Sequence, residues 1–196
     1  TETVTVVVDT AAPTVNLSSP VNGNYYLGSV PIEGFITDAH LTSYQIECRD
    51  AAVVFSEEGN QNRQDYRFAL LDDLAEGQHT LDISATDEAG NVSQITKTFV
   101  VDHTPPRSQL LSPEAGALFG TGDNGTVSIA GTVEEENLAT WVLRYGSGDS
   151  PSTWTELISG DSLPAEEHLF DWLVGPDNGI ADGIYTISLF VEDKAG

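Results

Sequence analysis

The chain has 196 residues, with 7 Lys and Arg against 31 Asp and Glu, a formal net charge of −24 and 39% hydrophobic residues. That length suits one large or two ordinary domains. So few cations leave no basic patch for nucleic-acid phosphates or anionic lipid, and no run approaches the ~20 apolar residues of a membrane span. No nucleic-acid partner and no membrane insertion are expected, and the charge suits divalent cations instead. Met is absent, so Thr1 is read as a point inside a longer polypeptide.

Hydrophobic periodicity along the chain is two rather than 3.6. Val30, Ile32, Gly34 and Ile36 alternate with polar or small neighbours, as do Leu81, Ile83 and Ala85, and later Ile187, Leu189 and Val191. Short alternating runs bounded by Gly, Pro, Asn and Asp read as antiparallel strands of a β-sandwich. In chain order the strands are expected near 13–18 (A), 29–37 (B), 42–49 (C), 51–56, 65–70 (E), 78–86 (F) and 92–101 (G). A second set follows near 107–111, 126–134, 139–146, 154–158, 167–173 and 184–192.

The second set is a copy of the first. V-V-D-T-A-A-P (Val7 to Pro13) returns as V-V-D-H-T-P-P (Val100 to Pro106) at an offset of 93, and L-S-S-P-V-N-G returns as L-L-S-P-E-A-G at the same offset. V-P-I-E-G-F-I matches V-S-I-A-G-T-V at an offset of 97, carrying Tyr44 and Ile46 onto Trp141 and Leu143. E-G-Q-H-T-L-D-I-S-A-T-D-E-A-G matches D-G-I-Y-T-I-S-L-F-V-E-D-K-A-G at 106. The second copy is therefore 13 residues longer, four of them around G-T-G-D-N-G and the rest between strands C and F. Trp141 falls on strand C, where sandwich cores often hold a tryptophan, and Tyr185 stands where a tyrosine corner would, a place that His79 takes in the first copy.

V-D-x-x-x-P, the E-G or D-G turn before strand F, and T-D-E-A-G-N together resemble bacterial immunoglobulin-like repeats, over essentially the whole chain. The resemblance implies an all-β fold of two tandem immunoglobulin-like antiparallel β-sandwiches. Residues 1–8 align with the last strand of a preceding repeat, 9–101 form repeat 1, and 102–196 form repeat 2 without its final strand. It also implies an exported bacterial protein at the cell surface or outside the cell, in which such repeats form adhesin stalks or accessory regions of secreted enzymes.

In such a sandwich the start of strand A, the B–C loop and the F–G loop share one end. Repeat 1 places Asp9, Asp38 and Asp87 there, and repeat 2 places Asp102, Glu135 and Asp193. Converging carboxylates repel unless protonated or bound to a cation, and calcium takes six to eight oxygens in a flexible cage. Calcium is the expected cofactor, with Asn91 able to add an oxygen and the E–F loop contributing Asp72, Asp73 and Glu76 near Asp102. The plainer reading of the same residues is solvated turns, where Asp is favoured.

No enzyme is expected. The four histidines show no metal-binding spacing, and the chain has no G-x-S-x-G elbow, P-loop or dinucleotide fingerprint. Modules with short loops leave little room for a deep pocket. Cys48, the single cysteine, alternates with Tyr44 and Ile46 and reads as a core residue. The expected function is a stretch of stalk whose partners are neighbouring Ig-like repeats. The alternative is a carbohydrate-binding or accessory module of a secreted enzyme, meeting a surface glycan through Trp154, Trp172, Tyr25, Tyr26 or Tyr145, and a third reading is adhesion to a protein ligand through 146–154. Of these aromatics Trp154 is the best exposed candidate, and Trp172 is expected to be half-buried. Residues 3–8 suggest head-to-tail self-association, in which one molecule completes repeat 2 of another.

Overall fold

The computed structural model describes residues 1–64, 66–120 and 125–196. These fall into two compact units, Thr1–His103 and Thr104–Lys194. In the first, the strands are β1 (Thr14–Ser19), β2 (Tyr25–Tyr26), β3 (Val30–Thr37), β4 (Leu41–Arg49), β5 (Val53–Gly59), β6 (Arg67–Leu71), β7 (Gly77–Asp87) and β8 (Val92–Val101). They form a three-stranded sheet, β1-β3-β6, and a five-stranded sheet, β2-β8-β7-β4-β5. All pairings are antiparallel except β2 with β8, where Tyr25 and Tyr26 lie beside Val100 and Val101.

The second unit contains β9 (Arg107–Ser112), β10 (Thr126–Glu134), β11 (Leu138–Ser147), β12 (Thr155–Gly160), β13 (His168–Leu173) and β14 (Tyr185–Asp193). Its sheets run β13-β10-β9 and β12-β11-β14, and a 3-10 turn covers Pro176–Asn178. The expected strands are thus found within a few residues in both copies. The two-residue β2 and the 3-10 turn were not expected, being too short to show periodicity. The insertion around G-T-G-D-N-G falls mostly outside the described residues.

Both cores follow from the alternation. β7 buries every second residue from His79 to Asp87, so Leu81, Ile83 and Ala85 meet Ile32, Ile36, Ile46 and Phe99 from the other strands. In the second unit Ile129, Leu143, Trp141, Leu169 and Trp172 do the same. Each such side chain removed from water contributes about 1.5–3 kcal/mol.

Glycines recur where the copies need close backbone approach. Gly34 on β3 sits where a Cβ would lie 2.0 Å from the Asn16 carbonyl oxygen of β1, and its equivalent Gly131 would place one 2.6 Å from the Gln109 oxygen of β9. Across from the strand-C aromatics, Tyr44 lies over Gly59 and Trp141 over Gly160, each pair in register. The rings fill the space the glycines leave.

The corner before strand F is built twice with different chemistry. The Tyr185 hydroxyl donates to the Ala181 carbonyl at 3.0 Å, and in the first unit the His79 Nε2 meets the Ala75 carbonyl at 2.8 Å. His79 is fully buried and stacks on Phe99 at 5.4 Å. Among the described residues no helix is long and apolar enough to cross a membrane.

Candidate functional site

The polar end of the first unit is assembled from the leading segment, the β3–β4 turn and the β7–β8 turn. In the β3–β4 turn, the Asp38 Oδ1 accepts from the His40 N–H at 2.7 Å, an Asx turn that also fixes His40. Asn62 reinforces it, donating its amide to the Asp38 carbonyl and accepting from the Asp38 N–H, both at 2.9 Å. Asp9 faces this turn, with an Oδ2 3.5 Å from the His40 Nδ1. Asp9, Asp38 and His40 each offer one ligand atom within 4.8 Å of the others.

Asp9 and Asp38 are therefore brought together as the sequence suggests, but their third neighbour is His40. Asp87 has a different task. It is buried, and its two oxygens accept from the Asn91 N–H and the Asn91 side-chain amide, both at 2.8 Å. Burial alone would raise its pKa. Hydrogen bonds from the Asn91 side chain and N–H, and from the Ala89 and Gly90 N–H groups, outweigh that and hold it below the usual carboxylate range.

The same Asn91 amide reaches the leading segment, donating to the carbonyls of Asp9 at 3.3 Å and Ala11 at 3.2 Å. Ser93 adds a hydrogen bond to the Pro13 carbonyl at 2.5 Å. The two sequence motifs, V-D-x-x-x-P and D-E-A-G-N, are thus halves of one clamp. Asp87 orients Asn91, and Asn91 holds the segment that leads into β1.

At the opposite end of this unit the trailing segment is also tied down. The Asp102 N–H donates to the Tyr26 carbonyl at 3.0 Å, and the His103 N–H donates to Glu76 at 3.1 Å. Of the expected E–F loop carboxylates, Glu76 serves the linker and Asp72 accepts from the Ser29 hydroxyl. Asp73 sits at a turn with φ 57°. Asp102 itself is buried.

In the second unit Glu135 and Asp193 repeat the turn chemistry. Glu135 accepts from the Asn137 N–H at 2.8 Å, as Asp38 does from His40, and Asp193 accepts from the Gly196 N–H at 2.7 Å. The Lys194 N–H bonds the Asn137 carbonyl at 2.9 Å, matching Glu88 with His40 in the first unit. Asp102 belongs to the first unit and Glu135 and Asp193 to the second.

The aromatic candidates divide. Trp172 is buried rather than half-buried, packed against Tyr145 at 4.5 Å and Tyr185 at 5.7 Å. The Trp141 indole is buried and donates to the Ser162 carbonyl at 2.8 Å. Trp154 and Phe190 remain more than a third exposed, and the Arg144 guanidinium stacks on both rings, at 4.7 and 5.1 Å. The cation occupies a face of each aromatic, which leaves less ring surface for a sugar. Cys48 is buried, and burial pushes its thiol up to about 11.

Sequence reasoning missed two features. His40 joins Asp9 and Asp38, and its signal was its place two residues after Asp38 in the same turn. The second unit also holds a cavity of about 780 Å³ lined by Phe119, Trp172, Val174, Ile180, Tyr185 and Ile187, where short loops implied no deep pocket. It is lined by the 176–183 loop and the segment after β9, a tertiary fact without a local pattern.

Residues 36–103, running from the end of β3 to the trailing segment of the first unit, match the family described as bacterial Ig-like domain. The motifs read from the sequence and the family match thus point to one fold. Among solved structures, the fibronectin(III)-like modules of Clostridium thermocellum CbhA align at a TM-score of 0.51 and 16% identity, over 93% of this chain and 87% of theirs. A carbohydrate-binding module of the β-sandwich superfamily aligns at a TM-score of 0.41 and 12% identity, over 95% of this chain and 98% of that one. The first likeness agrees with the immunoglobulin-type sandwich, and the second is too distant to carry an argument. No curated protein compared with the chain matches it.

Proposed function

We propose that the chain is a spacer in an exported bacterial surface protein, an Ig-like stalk segment that acts by position rather than by catalysis. The observation that carries this reading is the clamp on both ends of the first unit. Asn91 and Ser93 hold residues 9–13, while Tyr26 and Glu76 hold residues 102–103. Tension along the chain then reaches hydrogen-bonded β-structure rather than a slack tether. An acidic surface carrying a net charge of −24 keeps neighbouring stalks apart by repulsion.

Calcium stiffening is part of this proposal. Asp9 and Asp38 supply two adjacent carboxylates at the leading end, and loop carbonyls can complete an oxygen shell. With His40 as third neighbour, the donor set also suits zinc, so the cation is to be decided by titration. The carbohydrate-binding reading rests on Trp154 and Phe190, and the Arg144 stack weakens it.

Single-molecule pulling of the chain, paired with a glycan array, separates the two. A spacer gives a defined unfolding force that falls in Asn91→Ala, and no glycan signal. Glycan binding lost in Trp154→Ala, with an unfolding force indifferent to Asn91, would overturn the proposal.

A further inference from the structure

Leu143 and Tyr145 of β11 pack into the core of the second unit, as do Ile187 and Leu189 of β14. The residues that alternate with them, Arg144, Ser188 and Phe190, therefore stand on the outer face of the sheet. Arg144 is opposite Ser188 in the ladder, and its Nε donates to the Ser188 hydroxyl at 3.4 Å. The guanidinium carbon lies 4.7 Å from the centre of the Trp154 ring and 5.1 Å from that of Phe190. Two rings and one hydrogen bond thus hold the plane of the cation.

The cation is held but not neutralised. Among the described residues no carboxylate forms an ion pair with Arg144, and its two terminal nitrogens make no hydrogen bond. The chain has 31 acidic residues, so a suitable partner is not scarce. Glu156 stands directly opposite Arg144 on β12, yet it accepts from the Ser159 hydroxyl at 2.7 Å. The first unit closes the same ladder position on itself. There Glu47 is opposite Asp82, and Arg49 pairs with both. One sheet face satisfies its own arginine, and the other presents an oriented fork of N–H donors.

We propose that this fork docks an extended segment of a protein partner that carries one Asp or Glu between apolar side chains. A guanidinium holds a carboxylate through two parallel N–H donors, a stronger contact than it makes with a neutral acceptor. The cation covers a face of Trp154 and of Phe190, so the rings offer their edges, which suit an aliphatic side chain better than the flat face of a sugar. In an extended segment residues i and i+2 share a face about 7 Å apart. Apolar residues two before and two after the acid then rest toward Trp154 and Phe190. A single acid is selected over an acidic run, because Glu156 and Glu192 share this face and the chain carries a net charge of −24. Repulsion of one carboxylate by charges beyond about 8 Å is screened at physiological salt. The site adds an adhesive point to the chain whether or not the chain is a spacer.

The test is proton–nitrogen correlation NMR of the full chain at about 0.15 M salt, reading the Arg144 Nε–H and the Trp154 indole N–H. The probe is the capped peptide acetyl-Leu-Ser-Glu-Ser-Leu-amide, and its twin carries Gln in place of Glu. The Glu peptide moves both signals to saturation, and the Gln peptide binds about 10-fold more weakly or worse. Arg144→Lys, which keeps the charge but loses the fork, lowers the Glu peptide to the level of its twin. Unmoved indole signals of the buried Trp141 and Trp172 show that this variant is folded. If it does not fold, the comparison of the two peptides on the wild type decides alone. Equal binding of the twins, no movement of either signal at millimolar peptide, or undiminished binding to folded Arg144→Lys overturns the proposal. So does glucuronate that moves the same signals at lower concentration than the Glu peptide, which would assign the fork to an acidic glycan.

Discussion

Replacing Gly34 with alanine puts a methyl carbon 2.0 Å from the Asn16 carbonyl oxygen, 3.0 Å from its carbonyl carbon and 3.1 Å from the Leu17 Cα. These are backbone atoms, so no side chain can rotate away. A carbon and an oxygen rest well over 3 Å apart, and β1 must therefore retreat by about 1 Å. That strand pairs with β3 from Thr14 to Leu17 and delivers Leu17 to the core. Overpacking of this kind costs about 1–3 kcal/mol, and loosening one or two ladder hydrogen bonds adds about 1 kcal/mol each. We expect Gly34→Ala to destabilise the first unit by about 2–4 kcal/mol, a fall of roughly 8–30 °C in Tm for a unit of this size. The assay is thermal labelling of Cys48, which is buried in that unit and reacts only once it opens. Gly131→Ala, with 2.6 Å to the Gln109 oxygen and two leucine side chains able to give, is expected to cost less in the second unit, read by tryptophan fluorescence. A Gly34→Ala shift below about 0.5 kcal/mol, or one smaller than that of Gly131→Ala, refutes the steric argument.

The Asp87 pKa is depressed in the fold, so its contribution to stability is present above the unfolded carboxylate value and is lost as pH falls through the folded one. Acid melts of Asp87→Asn should show a shallower loss across that range, and a profile like the wild type's would remove Asp87 from the clamp. The Cys48 thiol, raised to about 11, stays protonated as pH rises through the unfolded value, so the first unit should lose stability above about pH 9, and Cys48→Ala should flatten that limb. Asn91→Ala frees the carbonyls of Asp9 and Ala11, and limited proteolysis should cut between residues 9 and 13 sooner than in the wild type. If a cation sits at Asp9 and Asp38, EDTA should lower the Tm of the first unit, and calcium or zinc at ~100 times its Kd should restore about 2.7 kcal/mol, an effect absent in Asp38→Asn.

Period-two alternation and punctuation by turn residues were enough to read an all-β fold and nearly every strand. These are local signals, because a strand's faces and its turns are written in neighbouring residues. The pairing of Asp9 with Asp38 was legible once the repeat implied that their loops share an end. Only the folded structure showed that the third partner is His40, that Asp87 is consumed by Asn91, and that V-D-x-x-x-P and D-E-A-G-N grip one another across about 80 residues. It alone revealed the cavity beside β14 and the guanidinium covering Trp154. Alternation records which face a side chain takes. Which hydrogen-bond donor reaches a given carboxylate, and whether facing surfaces close without a void, depend on distances between strands far apart in sequence, and those are set only when the sheets pack.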